Sequence, residues 1–294
     1  MDFENRLPDE TVNYSTEHPL KEFTWLVVGA LGTVAAVTAL IGFFAGEIAA
    51  RLPFSTENNF ASSITKHWEE GLRDAQAEEA RQALRAITAK LVPVMGLPEG
   101  MQVKVHYDDG TTPNAFATLG GNVVFYRGLL VKFDSEDAVA TVLAHEIAHA
   151  KLRHPASSLG RGIAVGLTLS VLSSGMGEGV AGGALQTAGT LPLLKYGRDQ
   201  ESAADAEAFA AVAKVYGHVG GAKDTFTELA KIGGGGYAPA FLQTHPLSLE
   251  RVAAAERMAR ERGWAPDGPR TPLPPALAVL RKVEAVKPPA GGAQ

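Results

Sequence analysis

Between Thr24 and Gly46 the chain runs for 23 residues without one charged side chain. At 1.5 Å per residue such a helix rises about 34 Å, enough to cross a hydrocarbon core of about 30 Å. A helix on the surface of a water-soluble domain keeps one face polar, and this run has none. Trp25 stands near one end, where interfacial aromatics settle, and Lys21 and Arg51 flank the segment. A single transmembrane helix is therefore expected over residues 24–46. Residues 1–23 are polar and acidic, with Pro8 and Pro19, and read as a loosely ordered tail. Their length and acidity differ from the short basic start of a cleaved signal peptide, so an uncleaved anchor is expected. Arg6 and Lys21 precede the span and Arg51 and Lys66 follow it, so the positive-inside rule gives a tie.

The remaining residues are numerous enough for a substantial core, and 46% of the 294 residues are hydrophobic. The net charge of −5 comes with no long Lys/Arg tract, which argues against nucleic acid as a partner. There is no cysteine, so disulfides, thiolate metal ligands and a cysteine nucleophile are excluded. Apolar residues at helical spacing predict one long amphipathic helix over 62–92, ended by Pro93, Gly96 and Pro98. Alternating residues predict strands at 102–107 and 122–126, the second after the Gly120-Gly121 turn. Asp134 or Ser135 then caps a helix that stops near His154-Pro155. The Gly- and Ala-rich stretch 160–194 is too short in its charge-free part to span a bilayer; a buried helix is expected over a membrane-dipping hairpin. Helices are expected at 198–216 and 248–262. Residues 265–294, with seven prolines, read as a peripheral extension holding at most one short helix near 276–286. The fold class is thus α+β and mainly helical.

One of these helices carries His145-Glu146-Ile147-Ala148-His149, an H-E-x-x-H pattern. Residues i and i+4 share a helix face, so two imidazoles can bind one Zn²⁺ and leave room for a third protein ligand and a water. Glu146 lies about 100° around the helix and reaches that water without ligating the metal. The third ligand must be a His or a carboxylate. Glu201, with Asp205 at i+4 on the same face, suits a ligand with a supporting carboxylate, and Asp205 can fix the tautomer of His145. A pair of surface carboxylates is the plain alternative; the small Ala203, Ala204, Ala206 and Ala208 argue for close packing instead.

H-E-x-x-H followed some fifty residues later by R-x-x-E-x-x-A-D, here Arg198 to Asp205, resembles peptidase family M48, which includes bacterial envelope-quality-control proteases and a mitochondrial protease. Asn114-Ala115-Phe116-Ala117 before Gly120-Gly121 resembles that family's strand motif, and Thr244-His245-Pro246 its later His-Pro motif. The resemblance covers roughly residues 60–262 and implies a gluzincin-type domain, a small sheet over an active-site helix pair, within residues 55–264. It implies His145, His149 and Glu201 as ligands of one Zn²⁺, Glu146 as general base, His245 as donor to the oxyanion, and Asn114, Ala115, Phe116 and Ala117 as the strand that pairs with an extended polypeptide. Arg198 is expected to pair with a carboxylate of the site. His18, His67, His106, His154 and His218 are expected to be structural or solvated.

Together these readings describe a membrane-anchored zinc endopeptidase acting on polypeptides, with lipid as the partner of its N-terminal helix. Resemblance places it in a bacterial inner membrane with a periplasmic catalytic domain, in protein quality control. Two rivals remain: a zinc-stabilised adaptor or chaperone with little turnover, and a prenyl-peptide protease, whose several spans this chain does not offer.

Overall fold

A computed structural model describes residues 19–70, 74–173, 196–233, 240–246 and 249–286. The charge-free run lies inside helix α1, Pro19–Arg51. The helix begins earlier than the expected span, because Pro19 suits a first turn, and it continues to Arg51, which pairs with Glu47. Pro19 to Phe23 are thus helical rather than tail; the rest of the expected tail lies outside the described residues. Thr24, Thr33 and Thr38 each donate a hydroxyl proton to the carbonyl four residues back, so the run presents no unpaired hydroxyl. By length and composition α1 can cross a membrane, and very little of it is covered by protein.

The single helix expected over 62–92 is two. Helix α2 is Phe54–Glu70 and α3 is Ala75–Met95. Asp74 breaks the run by accepting the Gln76 amide at 3.3 Å, as an N-cap does. Pro93 does not end α3, which continues to Met95 and closes on Gly96 in the left-handed conformation.

A three-stranded sheet follows. Strand β1 is Lys104–Asp108, β2 is Ala115–Ala117 and β3 is Asn122–Tyr126. The order is β1-β3-β2, with β1 parallel and β2 antiparallel to β3, so β2 is an edge. The turn between β2 and β3 needs glycine. Gly120 and Gly121 have φ of 70° and 77°, and a Cβ on Gly121 would collide with the Gln102 carbonyl.

After α4, Arg127–Leu130, comes α5, Glu136–Lys151, in which every side chain from Glu136 to Ala150 is buried. Ser135 caps it by accepting the Ala138 amide. Arg153, at φ 64°, turns the chain into α6, His154–Ser173. Pro155 therefore opens a helix instead of closing one. Helix α6 packs along α1, and the rest of the expected 160–194 segment falls outside the described residues.

Helix α7, Arg198–Tyr216, lies on α5 and α3, and α8, Gly220–Gly233, packs on α5. The short α9, Ala240–Thr244, α10, Leu249–Arg262, and α11, Pro275–Val286, complete the described elements. Of the expected extension, residues 265–286 are not peripheral. The Thr271 carbonyl accepts the Glu136 amide at 2.9 Å, the Thr271 amide donates to Asp137 at 2.7 Å, and α11 buries Leu277 against the core. The prolines do not prevent this, since their carbonyls still accept: Pro269 takes a bond from His218 at 3.0 Å.

Candidate metal centre

Helix α5 brings His145, Glu146 and His149 into the interior, and the methyl-sized Ala204 and Ala208 of α7 let the two helices close up. Four side chains from three places converge: His145, His149, Glu201 and His245, all buried, with donor atoms within 4.8 Å of one another. His145 Nε2 stands 2.9 Å from His149 Nε2, 3.6 Å from Glu201 Oε2 and 3.3 Å from His245 Nδ1. His149 Nε2 lies 3.4 Å from Glu201 Oε1, and His245 Nδ1 lies 3.0 Å from the same oxygen. A tetrahedron with bonds of about 2.0–2.1 Å has edges of about 3.3–3.4 Å, so these separations suit ligands around one small cation. Charge agrees: Glu146, Glu201 and Asp205 surround a single guanidinium, that of Arg251.

The groups behind these four side chains are held as closely as the four themselves. Asp205 Oδ1 is 3.0 Å from His145 Nδ1, as the spacing of Glu201 and Asp205 predicts. Arg251 holds Asp205 through two donors, Nε at 2.7 Å and Nη2 at 2.8 Å, and its Nη1 lies 2.8 Å from Glu201 Oε2. Arg198, expected to play this part, is exposed in the first turn of α7. The position was mistaken because Arg198 is near Glu201 in sequence, whereas Arg251 arrives from α10. His154 also reaches the cluster: its Nδ1 is 2.8 Å from His149 Nδ1, so it orients that imidazole. Tyr196 stacks on His149 with ring centroids 4.0 Å apart. Neither residue belongs to a recognisable spacing; only a histidine five places after His149 and a tyrosine five before Glu201 hint at them.

Glu146 stands between the cluster and the sheet. Its Oε2 accepts the Ala117 amide at 2.8 Å, and its Oε1 stands 3.5 Å from His245 Nε2. Among the described residues Oε1 and His245 Nε2 have no hydrogen bond, so each is free for a third molecule. The β2 ladder explains the Ala117 contact. Asn114 and Thr118 bond toward β3, so by alternation Ala115 and Ala117 turn their backbone groups outward. Phe116 packs instead with Trp68 and Tyr126.

Burial raises the Glu146 carboxyl above its usual range, with the imidazoles only partly offsetting it. Burial pushes Glu201 the same way, yet its contacts with His145, His149 and His245 prevail and hold it well below. Burial opposes the charged form of His145, but Asp205 and Glu201 raise it to about 9. His149 is depressed by burial and by the neighbouring His145.

Comparison with known proteins adds an independent line. Residues 78–259, more than half of the chain, match the model of peptidase family M48. The chain is 29% identical over 183 residues to the mitochondrial metalloendopeptidase OMA1 of Schizosaccharomyces pombe, covering 62% of this chain and 52% of that protein. It is 32% identical over 160 residues to a putative beta-barrel assembly-enhancing protease of Vibrio cholerae, covering 50% of this chain and 33% of that one. OMA1 of Arabidopsis thaliana is 31% identical over 154 residues, covering 52% and 31%. The chain thus spans about half, or about a third, of the length of these relatives.

Proposed function

The chain belongs to peptidase family M48, and from that premise we propose that it is a membrane-anchored zinc endopeptidase that hydrolyses extended polypeptides. One observation carries the reading: Glu146 links the ligand cluster to an edge strand, touching the outward Ala117 amide on one oxygen and facing His245 with the other. Zn²⁺ held by His145, His149 and Glu201 would polarise the scissile carbonyl and acidify water. Glu146 takes the proton from the attacking water and passes it to the leaving amide nitrogen; its raised pKa places it closer to the working pH of a general base. The outward amide and carbonyl of Ala115 and the outward carbonyl of Ala117, whose amide is held by Glu146, pair with substrate backbone as an added strand, which aligns the scissile bond without strong demands on side chains. Asn114 and Phe116 hold that strand in place.

His245 is positioned for two duties. Its Nε2, opposite Glu146, is placed to donate to the oxyanion. Its Nδ1 stands among the ligand atoms, and four protein ligands make a closed, structural zinc site. We assign the oxyanion role, with Nδ1 leaving the cluster during turnover. The closed-site alternative is the zinc-stabilised adaptor.

The names of the relatives, metalloendopeptidase and beta-barrel assembly-enhancing protease, support internal peptide-bond cleavage, and we place that cleavage in envelope or membrane protein quality control. With α1 as a single span, we place the catalytic domain on the periplasmic face of a bacterial inner membrane.

The test uses the full chain in vesicles with an unfolded polypeptide substrate. Glu146→Gln is expected to keep one zinc per chain and to lose about 10²–10⁴-fold in kcat. His245→Ala is expected to keep zinc and lose about 10²–10³-fold. Wild-type turnover in Glu146→Gln would sink the mechanism. Turnover that rises in His245→Ala would assign His245 to the closed site instead.

A further inference from the structure

Helix α6 leaves the catalytic domain one residue after Arg153 and runs back along the anchor. Arg153 Nε donates to the Ala50 carbonyl at 3.0 Å. Gly46 abuts Ser157 and Arg161, and Gly160 abuts Ala45 and Ala49. Numbers rise on α6 as they fall on α1, so the helices are antiparallel. The contact is between backbones: a Cβ on Gly160 would collide with the Ala45 carbonyl and come within 2.9 Å of Ala49 Cβ. Such close approach through small residues is how helices associate where there is no hydrophobic force between them.

The contact continues into the charge-free run. The covered or partly covered positions of α1 recur at Val34, Thr38, Gly42, Ala45, Gly46 and Ala49, one stripe along the helix. Helix α6 is the described element packed on it. The stripe passes Gly46, where the apolar run ends, and reaches twelve residues further to Val34, about 18 Å of helix. On α6 the last charge is Arg161, whose guanidinium donates to Ser157 and Ser158 hydroxyls. From Gly162 to Ser173 no residue is charged. Ile163, on this part of α6, is 54% exposed, an apolar side chain that α1 does not cover.

We propose that α6 from Gly162 onward lies in the bilayer beside α1, so that the catalytic domain is seated on the membrane by two helices and the partner of the exposed α6 face is lipid acyl chain. This rests on the reading that α1 spans a membrane. Polar Arg161 then marks the headgroup level, as the flanking cations of a span do. The placement also fixes the position of the metal centre. His154 opens α6 and touches the ligand His149, and Gly162 follows eight residues later, about 12 Å along the helix axis. At about 3.3 Å per extended residue, that distance is about four residues of substrate. The substrate class is therefore a polypeptide segment lying close to the membrane surface, cut within a few residues of the bilayer boundary.

The absence of cysteine makes the test direct. Single variants Ile163→Cys, Leu40→Cys on α1 and the exposed Glu79→Cys are prepared in the full chain, placed in lipid vesicles, and treated from both sides with a membrane-impermeant maleimide. Glu79→Cys is expected to label fast, and Leu40→Cys and Ile163→Cys at least about tenfold slower, both recovering after detergent is added. Fast labelling of Ile163→Cys with Leu40→Cys still shielded would overturn the placement of α6 alone. Fast labelling of both would overturn the spanning helix itself, and with it this inference. As a second readout, Ile163→Trp fluorescence, in a chain whose Trp25, Trp68 and Trp264 are replaced by Phe, is expected to be quenched by phospholipids with brominated acyl chains; unquenched emission counts against α6 in the bilayer. Neither measurement depends on proteolysis, so a failure of the peptidase reading would show separately.

Discussion

Arg251 binds both Asp205, the carboxylate beside His145, and Glu201, so its removal leaves two buried anions without their cation. Loss of such a supporting partner weakens metal binding by about 10–100-fold. Arg251→Gln is expected to fall in that range in competition against a chelating indicator, and Arg251→Lys to recover only part, since lysine lacks the two-pronged geometry. Unchanged affinity in Arg251→Gln would show that the guanidinium is merely structural. At this scale the sequence exposes what is local. His145, Glu146 and His149 are legible because one helix turn carries their geometry, and Glu201 with Asp205 because i and i+4 share a face. Arg251 and Tyr196 are not, because their contacts are made by the packing of α10 and by the approach to α7. His154 is hidden by a bend: Arg153 takes a positive φ that no spacing rule anticipates in a non-glycine residue.

Among the elements, the C-terminal segment behaves least as composition suggests. Proline density reads as an extension, yet Thr271 caps the start of α5 and α11 closes over α3 and α4. Leu277 is 1% exposed, so Leu277→Ala is expected to destabilise the protein by about 2–5 kcal/mol in denaturant unfolding. Val279→Ala, at 46% exposure on the same helix, is expected to stay within about 0.5 kcal/mol. Equal effects would mean that α11 does not carry core packing. The break between α2 and α3 escaped periodicity for a different reason. The apolar stripe of α3 continues well, and one capping side chain, Asp74, decides the interruption. The strands and α5 were legible because alternation and a capped apolar stripe are strong local signals; the order β1-β3-β2 was not, since pairing is a long-range choice.

For the whole molecule, the cluster that could hold a metal is a junction of α5, α7 and the segment after α9, which lie up to a hundred residues apart in the chain. A cation bound at a thousandfold its dissociation constant stabilises the folded state by about 4 kcal/mol. Stripping it with a chelator is therefore expected to abolish cleavage and lower Tm, and adding zinc to restore both; a Tm that ignores chelation would mean that the ligands are not joined through a metal. The junction rests on α5, whose side chains from Glu136 to Ala150 all lie inside the protein. That burial has a consequence for descent. A segment with no watered side chain has no place where a change goes unfelt, for each position borders either the packing or the chemistry. Substitution along this helix is therefore expected to be tolerated only among residues of similar size, while exposed positions on the outer helices bear change more easily.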